Sequence, residues 1–230
     1  MIRKTLLCLW FAWTSSQIEL PILAQEVVDV KPVQAVNALS DEELSAGFRS
    51  LFDGQTLAGW KGNTKIFRVE DGAIVGGGME QALPNNEFLR SEQEYQDFEL
   101  RLQFKLVGEN ANAGVQIRTA EIPDHHEVIG YQADMGNGWW GCLYDESRRN
   151  RVLAGPPEDQ RDKVIRVDQW NDYRILCEGP RIQLWINGVQ TVDYTEQDDQ
   201  ISRQGIIALQ IHSGPPAEAS YRSIRIREIR

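Results

Sequence analysis

Between Phe98 and Leu106 the chain alternates without exception. Phe98, Leu100, Leu102, Phe104 and Leu106 are apolar, and Glu99, Arg101, Gln103 and Lys105 between them are polar. A helix would scatter the five apolar side chains around its axis; a pleated strand puts all five on one face. The segment is therefore read as a strand with one buried face. Further strands are expected at Gly114–Arg118, Tyr131–Met135, Tyr173–Cys177, Arg181–Asn187, Val189–Asp193, Ile206–His212 and Ser223–Ile229. Glu178-Gly179-Pro180 separates one pair, and Asn187-Gly188 is a strong tight-hairpin signal. No segment after Phe48 carries a helical period. Many short antiparallel strands at this spacing predict an all-β sandwich of two antiparallel sheets. Ahead of them, Ser40-Asp41-Glu42-Glu43 reads as a capping box that opens a short N-terminal helix.

The 230 residues are 41% hydrophobic and 25% charged. A chain this long buries on the order of 70% of its unfolded surface and needs no disulfide framework. Arg3 and Lys4 precede the apolar run Thr5–Trp13, and Ala24 offers a cleavage point. Residues 1–24 are accordingly expected to be a signal peptide, 25–39 a linker and 40–230 a single domain. Secretion, or export to a bacterial periplasm, follows from that expectation. Removal of the signal leaves Cys142 and Cys177, which an oxidising compartment would permit to pair. There is no second long apolar run, so no membrane association is expected after cleavage. The net charge of -10 argues against nucleic acid and anionic lipid as partners. Oligomeric state is open.

Period two also tells which side chains point away from the core. The outward pairs are Gln116 and Arg118, Gln132 and Asp134, and Gln210 and His212. Three strands thus share a pattern of Gln, one residue, then an ionisable group. Alternating donors and acceptors of this kind suit a polyhydroxylated ligand; the other reading is three solvated faces that never meet. Trp185 lies on the polar face of its strand, where it serves either as a stacking platform for a sugar or as a cover for the sandwich edge. Trp139 and Trp140 sit in a Gly-rich turn just after Asp134 and are read as a binding rim. The charged cluster from Leu143 to Asn150 includes Tyr144, Asp145 and Glu146. Either it is a solvated loop, or one of the two carboxylates joins Asp134 above the same sheet.

The chain has no Gly-x-Ser-x-Gly elbow, no phosphate-binding Gly loop and no Cys-x-x-Cys pair. Asp124-His125-His126-Glu127 is read as a surface loop rather than a metal site, because adjacent residues of an extended segment point to opposite sides. No metal and no other cofactor is expected.

The stretches Leu51-Phe52-Asp53-Gly54-x-x-Leu57-x-Gly59-Trp60, Phe98-Glu99-Leu100, Asn112–Arg118, Gly130–Asp134, Trp170-Asn171-Asp172-Tyr173 and Trp185-Ile186-Asn187-Gly188 resemble the 3-keto-disaccharide hydrolase family. The likeness runs from about Gly47 to Ile229. It implies a concanavalin-like jelly-roll sandwich in a secreted bacterial protein, with glycosides oxidised to a ketone at C3 as substrates. The implied fold also resembles that of β-glucanases carrying Glu-x-Asp-x-x-Glu on one strand. Here that strand reads Tyr131-Gln132-Ala133-Asp134, so the usual carboxylate pair is not evident. A C3 ketone acidifies the C2 proton and opens another route: proton removal, loss of the C1 substituent, then addition of water. On this expectation Asp134 or His212 does the acid–base work, and Arg118 stabilises the oxyanion. Gln116, Gln132 and Gln210 orient hydroxyls. A metal on the ketone could replace Arg118, though no ligand set demands one. The alternative is a non-catalytic carbohydrate-binding module on the same sandwich.

Overall fold

The computed structural model describes residues 36–229. The expected signal segment and most of the expected linker lie outside them. Ser40 caps helix α1 (Asp41–Ser45): its hydroxyl accepts from the Glu43 amide, and the Glu43 carboxylate accepts from the Ser40 amide. Strands follow in the order β1 (Arg49–Ser50), β2 (Trp60–Lys61), β3 (Phe67–Glu70), β4 (Ala73–Gly78), β5 (Glu87–Tyr95), β6 (Phe98–Val107), β7 (Asn112–Glu121), β8 (Val128–Gly136), β9 (Leu143–Glu146) and β10 (Arg151–Ala154). After a one-turn helix α2 (Glu158–Arg161) and a 3-10 turn come β11 (Asn171–Glu178), β12 (Arg181–Ile186), β13 (Val189–Thr195), β14 (Gly205–Ile211) and β15 (Ala217–Glu228). Helix α2 departs from the expectation of no helix after Phe48, since four residues are too few to show a period.

All pairings are antiparallel and form two sheets. The first runs β13-β12-β11-β6-β15-β4-β3, with β1 added beside β15; the second runs β10-β9-β8-β7-β14-β5-β2. The chain passes repeatedly from one sheet to the other, so spatial neighbours such as β6 and β15 are far apart in sequence. This is a jelly-roll sandwich. Strand β6 lies in the middle of the first sheet, and its five alternating apolar residues are buried as the period requires. They meet Val115 and Ile117 of β7, Tyr131 and Ala133 of β8, and Ile207 and Leu209 of β14 in one core. The Asn187-Gly188 turn between β12 and β13 has φ of 50° and 81°, the left-handed pair that matches strand twist. Cys142 and Cys177 are both buried free thiols; burial pushes them up to about 11 and about 12.

One outward position departs from the alternation. Glu99 is 1% exposed although it faces away from the core. Three guanidinium groups, from Arg101, Arg174 and Arg227, cover it.

Candidate active site

The second sheet turns its polar face outward, and register places the polar side chains in rows. Gln132 stands between Gln116 on β7 and Tyr144 on β9, while Asp134 lies opposite Gly114, which lies opposite Gln210. His212 follows β14, its amide bonded to the Asn112 carbonyl. A cavity of about 190 Å³ opens over these rows, lined by Asn86, Asn112, Gln132, Asp134, Trp139, Tyr144, Glu146 and His212. Gly114 is where a side chain cannot be. A Cβ there would lie 2.6 Å from two carbons of Gln132, which leans across the glycine.

A directed hydrogen-bond chain ends at the cavity. The Thr119 hydroxyl donates to Gln116 Oε1 (3.0 Å), Gln116 Nε2 to Gln132 Oε1 (2.5 Å) and Gln132 Nε2 to Asp134 Oδ1 (2.6 Å). Each amide is thereby oriented, because its oxygen is already receiving. Asp134 Oδ2 has no partner, and the residue is 3% exposed. Burial pushes its carboxyl up to about 8, Gln132 draws it back, and the Glu146 carboxylate adds to the rise. At neutral pH Asp134 is therefore mostly a neutral acid. Glu146 is also raised, first by burial and then by Glu127.

Residue by residue, the structure both assembles and corrects the expected site. Asp134, His212, Gln132, Tyr144, Glu146 and Trp139 share the cavity. His212 Nδ1 lies 2.7 Å from the Ser213 carbonyl. A carbonyl only accepts, so Nδ1 carries the hydrogen and the neutral ring keeps its lone pair on Nε2. Trp139 is exposed and meets Tyr144 edge-on at 5.9 Å, as a rim residue would. Gln116 stands behind Gln132 in the relay. Gln210 is fully buried, and neither of its amide atoms has a partner.

Three expectations are overturned, and one further residue lies apart from the cavity. Arg118 leaves the face because a β-bulge falls between Ile117 and Ala120, and its own φ is 48°. Its guanidinium is buried on Gln96 O, Gly179 O and Asp97, so it is not at hand for an oxyanion in the cavity. Trp140 turns inward and stacks on Phe104. Asp145 points opposite to Tyr144 and Glu146 on β9 and is enclosed by Arg148 and Arg149. Trp185 belongs to the first sheet, on the far side of the sandwich, stacked on Arg174.

Asn86 and Asn112 complete the surroundings without having been assigned a role from sequence, and Glu127, read there as part of a surface loop, joins them. Asn112 follows from extending the outward series Gln116, Gly114 back by one more step. Asn86 and Glu127 come from loops, where no period marks them. Asn86 Nδ2 donates to Glu127 Oε1 at 3.0 Å, and Glu127 Oε2, Asn112 Oδ1 and Asp134 Oδ2 are buried without partners. Glu127 Oε2 and Asn112 Oδ1 are acceptors that fit the hydroxyl donors of a polyol, while Asp134 Oδ2, protonated at neutral pH, is itself a donor. Among the described residues, no group of three or more His, Cys, Asp or Glu is arranged to hold a metal ion. His125 and His126 stack on one another in the loop that delivers Glu127.

Residues 47–227 match the family model described as a 3-keto-alpha-glucoside-1,2-lyase-like domain. Among solved structures, the chain is similar to a candidate glycosyl hydrolase from Parabacteroides distasonis, with 20% identity and a TM-score of 0.65 over 84% of this chain and 99% of the other. It is also similar to the carbohydrate-binding module CBM66 from Bacillus subtilis, at 14% identity and a TM-score of 0.56 over 73% and 94% of the two chains. A Bacillus licheniformis β-glucanase aligns at 9% identity and a TM-score of 0.50 over 75% and 94%. These likenesses establish the sandwich alone. No curated protein matches the sequence.

Proposed function

The chain belongs to the family of 3-keto-alpha-glucoside-1,2-lyase-like domains, and from that premise we propose that it is an exported enzyme that cleaves 3-keto-glycosides by elimination and hydration. The observation that carries the reading is Asp134, a buried carboxyl with one unpartnered oxygen that stands neutral in the same cavity as His212. Elimination across C1 and C2 needs a base for the C2 proton and an acid for the departing C1 oxygen. His212 Nε2 is the base, and its Nδ1–H bond to Ser213 fixes the tautomer that makes it so. Asp134 gives its proton to the leaving oxygen as the C1–O bond breaks, and the C2–H electron pair becomes the C1–C2 double bond conjugated with the ketone. Water then adds its oxygen to C1 and gives the proton it loses to the Asp134 carboxylate, while His212 returns its proton to C2. The net reaction is hydrolysis.

With Arg118 outside the cavity, neutral donors meet the charge that develops on the C3 oxygen. The Asn112 amide and the Tyr144 hydroxyl line the cavity and supply such donors. Gln132 and the residues behind it act by positioning Asp134. Trp139 offers a ring face at the rim.

Matched pairs of disaccharides, plain and oxidised at C3, test this, with trehalose as the first scaffold. Release of sugar from the oxidised member alone, lost by about 10²–10⁴-fold in Asp134→Asn and His212→Ala, is the expected result. Cleavage of the plain disaccharide at equal rate overturns the keto requirement. Binding without release from either leaves a carbohydrate-binding domain.

A further inference from the structure

The outer face of the first sheet carries the opposite chemistry. Arg174 on β11 and Arg225 on β15 both stand directly opposite Arg101 on β6, and Trp185 on β12 stands opposite Arg174. Like charges directly opposite one another destabilise a sheet, so stability alone does not account for three arginines in a row. Glu99 takes Arg101 and Arg174 on Oε1, at 2.8 and 2.6 Å, and Arg227 on Oε2 at 2.6 Å. Arg225 is held by both oxygens of Glu43 at 2.8 Å. Four guanidinium groups, those of Arg101, Arg174, Arg225 and Arg227, against the three carboxylates of Glu99, Glu43 and Asp172 leave a positive surplus. Arg222 adds to it, with no ion-pair partner among the described residues; its Nε donates to Gln103 and its guanidinium rests 3.9 Å over Trp170.

This surplus stands on a chain of net charge -10. A cavity of about 500 Å³ opens among Arg101, Gln103, Asp172, Arg174, Trp185 and Arg225. The side chains of Arg101 and Arg174 remain 41% and 38% exposed, so donors beyond those given to Glu99 face the solvent. The cavity around Asp134 is the reverse: neither arginine nor lysine lines it, so it offers an anion no cationic partner.

We propose that the arginine-lined cavity is a second carbohydrate site that binds an acidic oligosaccharide, its carboxylate set against Arg101 and Arg174 and its ring along the stacked Trp185–Arg174 pair. Planar guanidinium groups match a carboxylate in two-bond geometry, and a tryptophan at the cavity wall supplies the flat apolar surface a pyranose needs. Gln103 and Asp172, joined at 2.9 Å, offer partners for the hydroxyls. The site is independent of the chemistry assigned to Asp134, because it lies on the other sheet and its readout is binding.

The test is calorimetric titration of the whole mature chain with a galacturonate trimer, a neutral maltotriose and a glutamate hexapeptide. Binding of the uronate alone is expected, weakened by added salt and reduced about tenfold or more in Arg174→Gln and in Arg101→Gln. Trp185→Ala weakens it too, whereas Asp134→Asn leaves it as in the wild type. Amide-exchange protection by the uronate on β6, β11 and β12 of the wild-type chain reads the same footprint if a glutamine variant fails to fold. Absence of uronate binding, equal binding of maltotriose, tighter binding of the peptide, or loss in Asp134→Asn overturns the proposal.

Discussion

At the scale of single residues, the decisive fact is that Asp134 is enclosed but not paired. An acid at about 8 delivers its proton at neutral pH and loses it as the pH rises further. Turnover of a 3-keto-glycoside should accordingly fall about tenfold per pH unit above about 8, with the limb displaced upward in Gln132→Leu, which removes a donor to the ionised form. Rate against pH for the two proteins checks this. The same group has a stability signature. Its folded value lies above the unfolded one near 3.8, so the contribution is whole at acid pH and is lost between about pH 4 and 8 as only the unfolded chain ionises. The melting temperature of Asp134→Asn should therefore rise relative to wild type across that window, by the equivalent of about 1 kcal/mol per pH unit. Asp134, Gln132 and His212 were legible because their neighbours alternate strictly. Arg118 was misread because a bulge breaks the period at that residue, and nothing in its side chain signals where the backbone turns.

Among elements, β6 was readable in full: its position between β11 and β15 demands a continuous apolar face, and the sequence supplies one. Leu102→Ala in its middle should cost about 2–5 kcal/mol in denaturant unfolding. Strand β4 reads Ala-Ile-Val-Gly-Gly-Gly and has no polar alternation, since its first four residues are all buried. Strand β5 is interrupted by the irregular pairing opposite Ile206 and Ala208. Both were invisible to a period-two search for that reason. The hairpin of β7 and β8 depends on a missing side chain. A methyl at Gly114 meets Gln132, which is bonded at both ends and has little room to yield. Gly114→Ala should cost about 1–3 kcal/mol by overpacking and lower the rate more than that loss of stability would, because Asp134 loses its guide. Thermal melts and kcat measured together separate the two effects.

Over the whole molecule, the sandwich separates two electrostatic surfaces that sequence mixes along one chain. Register alone decides that Arg101, Arg174 and Arg225 assemble on one sheet and Asp134 and Glu146 on the other, and register between distant strands is not written in local pattern. That Trp185 stands on the sheet away from Asp134 could not be read from its own strand for this reason. The sheets are also tied to each other. Glu196, just past β13 of the first sheet, accepts from Arg149 and from the Tyr131 hydroxyl of the second. Burial alone would raise that carboxyl, but Arg149 and Tyr131 hold it well below the usual range. A depressed acid gives stability that is whole above its unfolded value near 4.5 and is lost as pH falls through the folded one. Glu196→Gln should thus be less stable than wild type at neutral pH and converge with it in strong acid, as urea midpoints would show. Arg118 makes a second tie, from β7 to the turns at Asp97 and Gly179. Its bulge amounts to one inserted codon: without it Thr119 would directly follow Ile117 in the chain and take the next outward place after Gln116, which its hydroxyl already reaches. Deleting that codon would keep the hydrogen-bond chain that orients Asp134 and remove a rivet between the layers, so the lesion would pass as a loss of thermal tolerance alone.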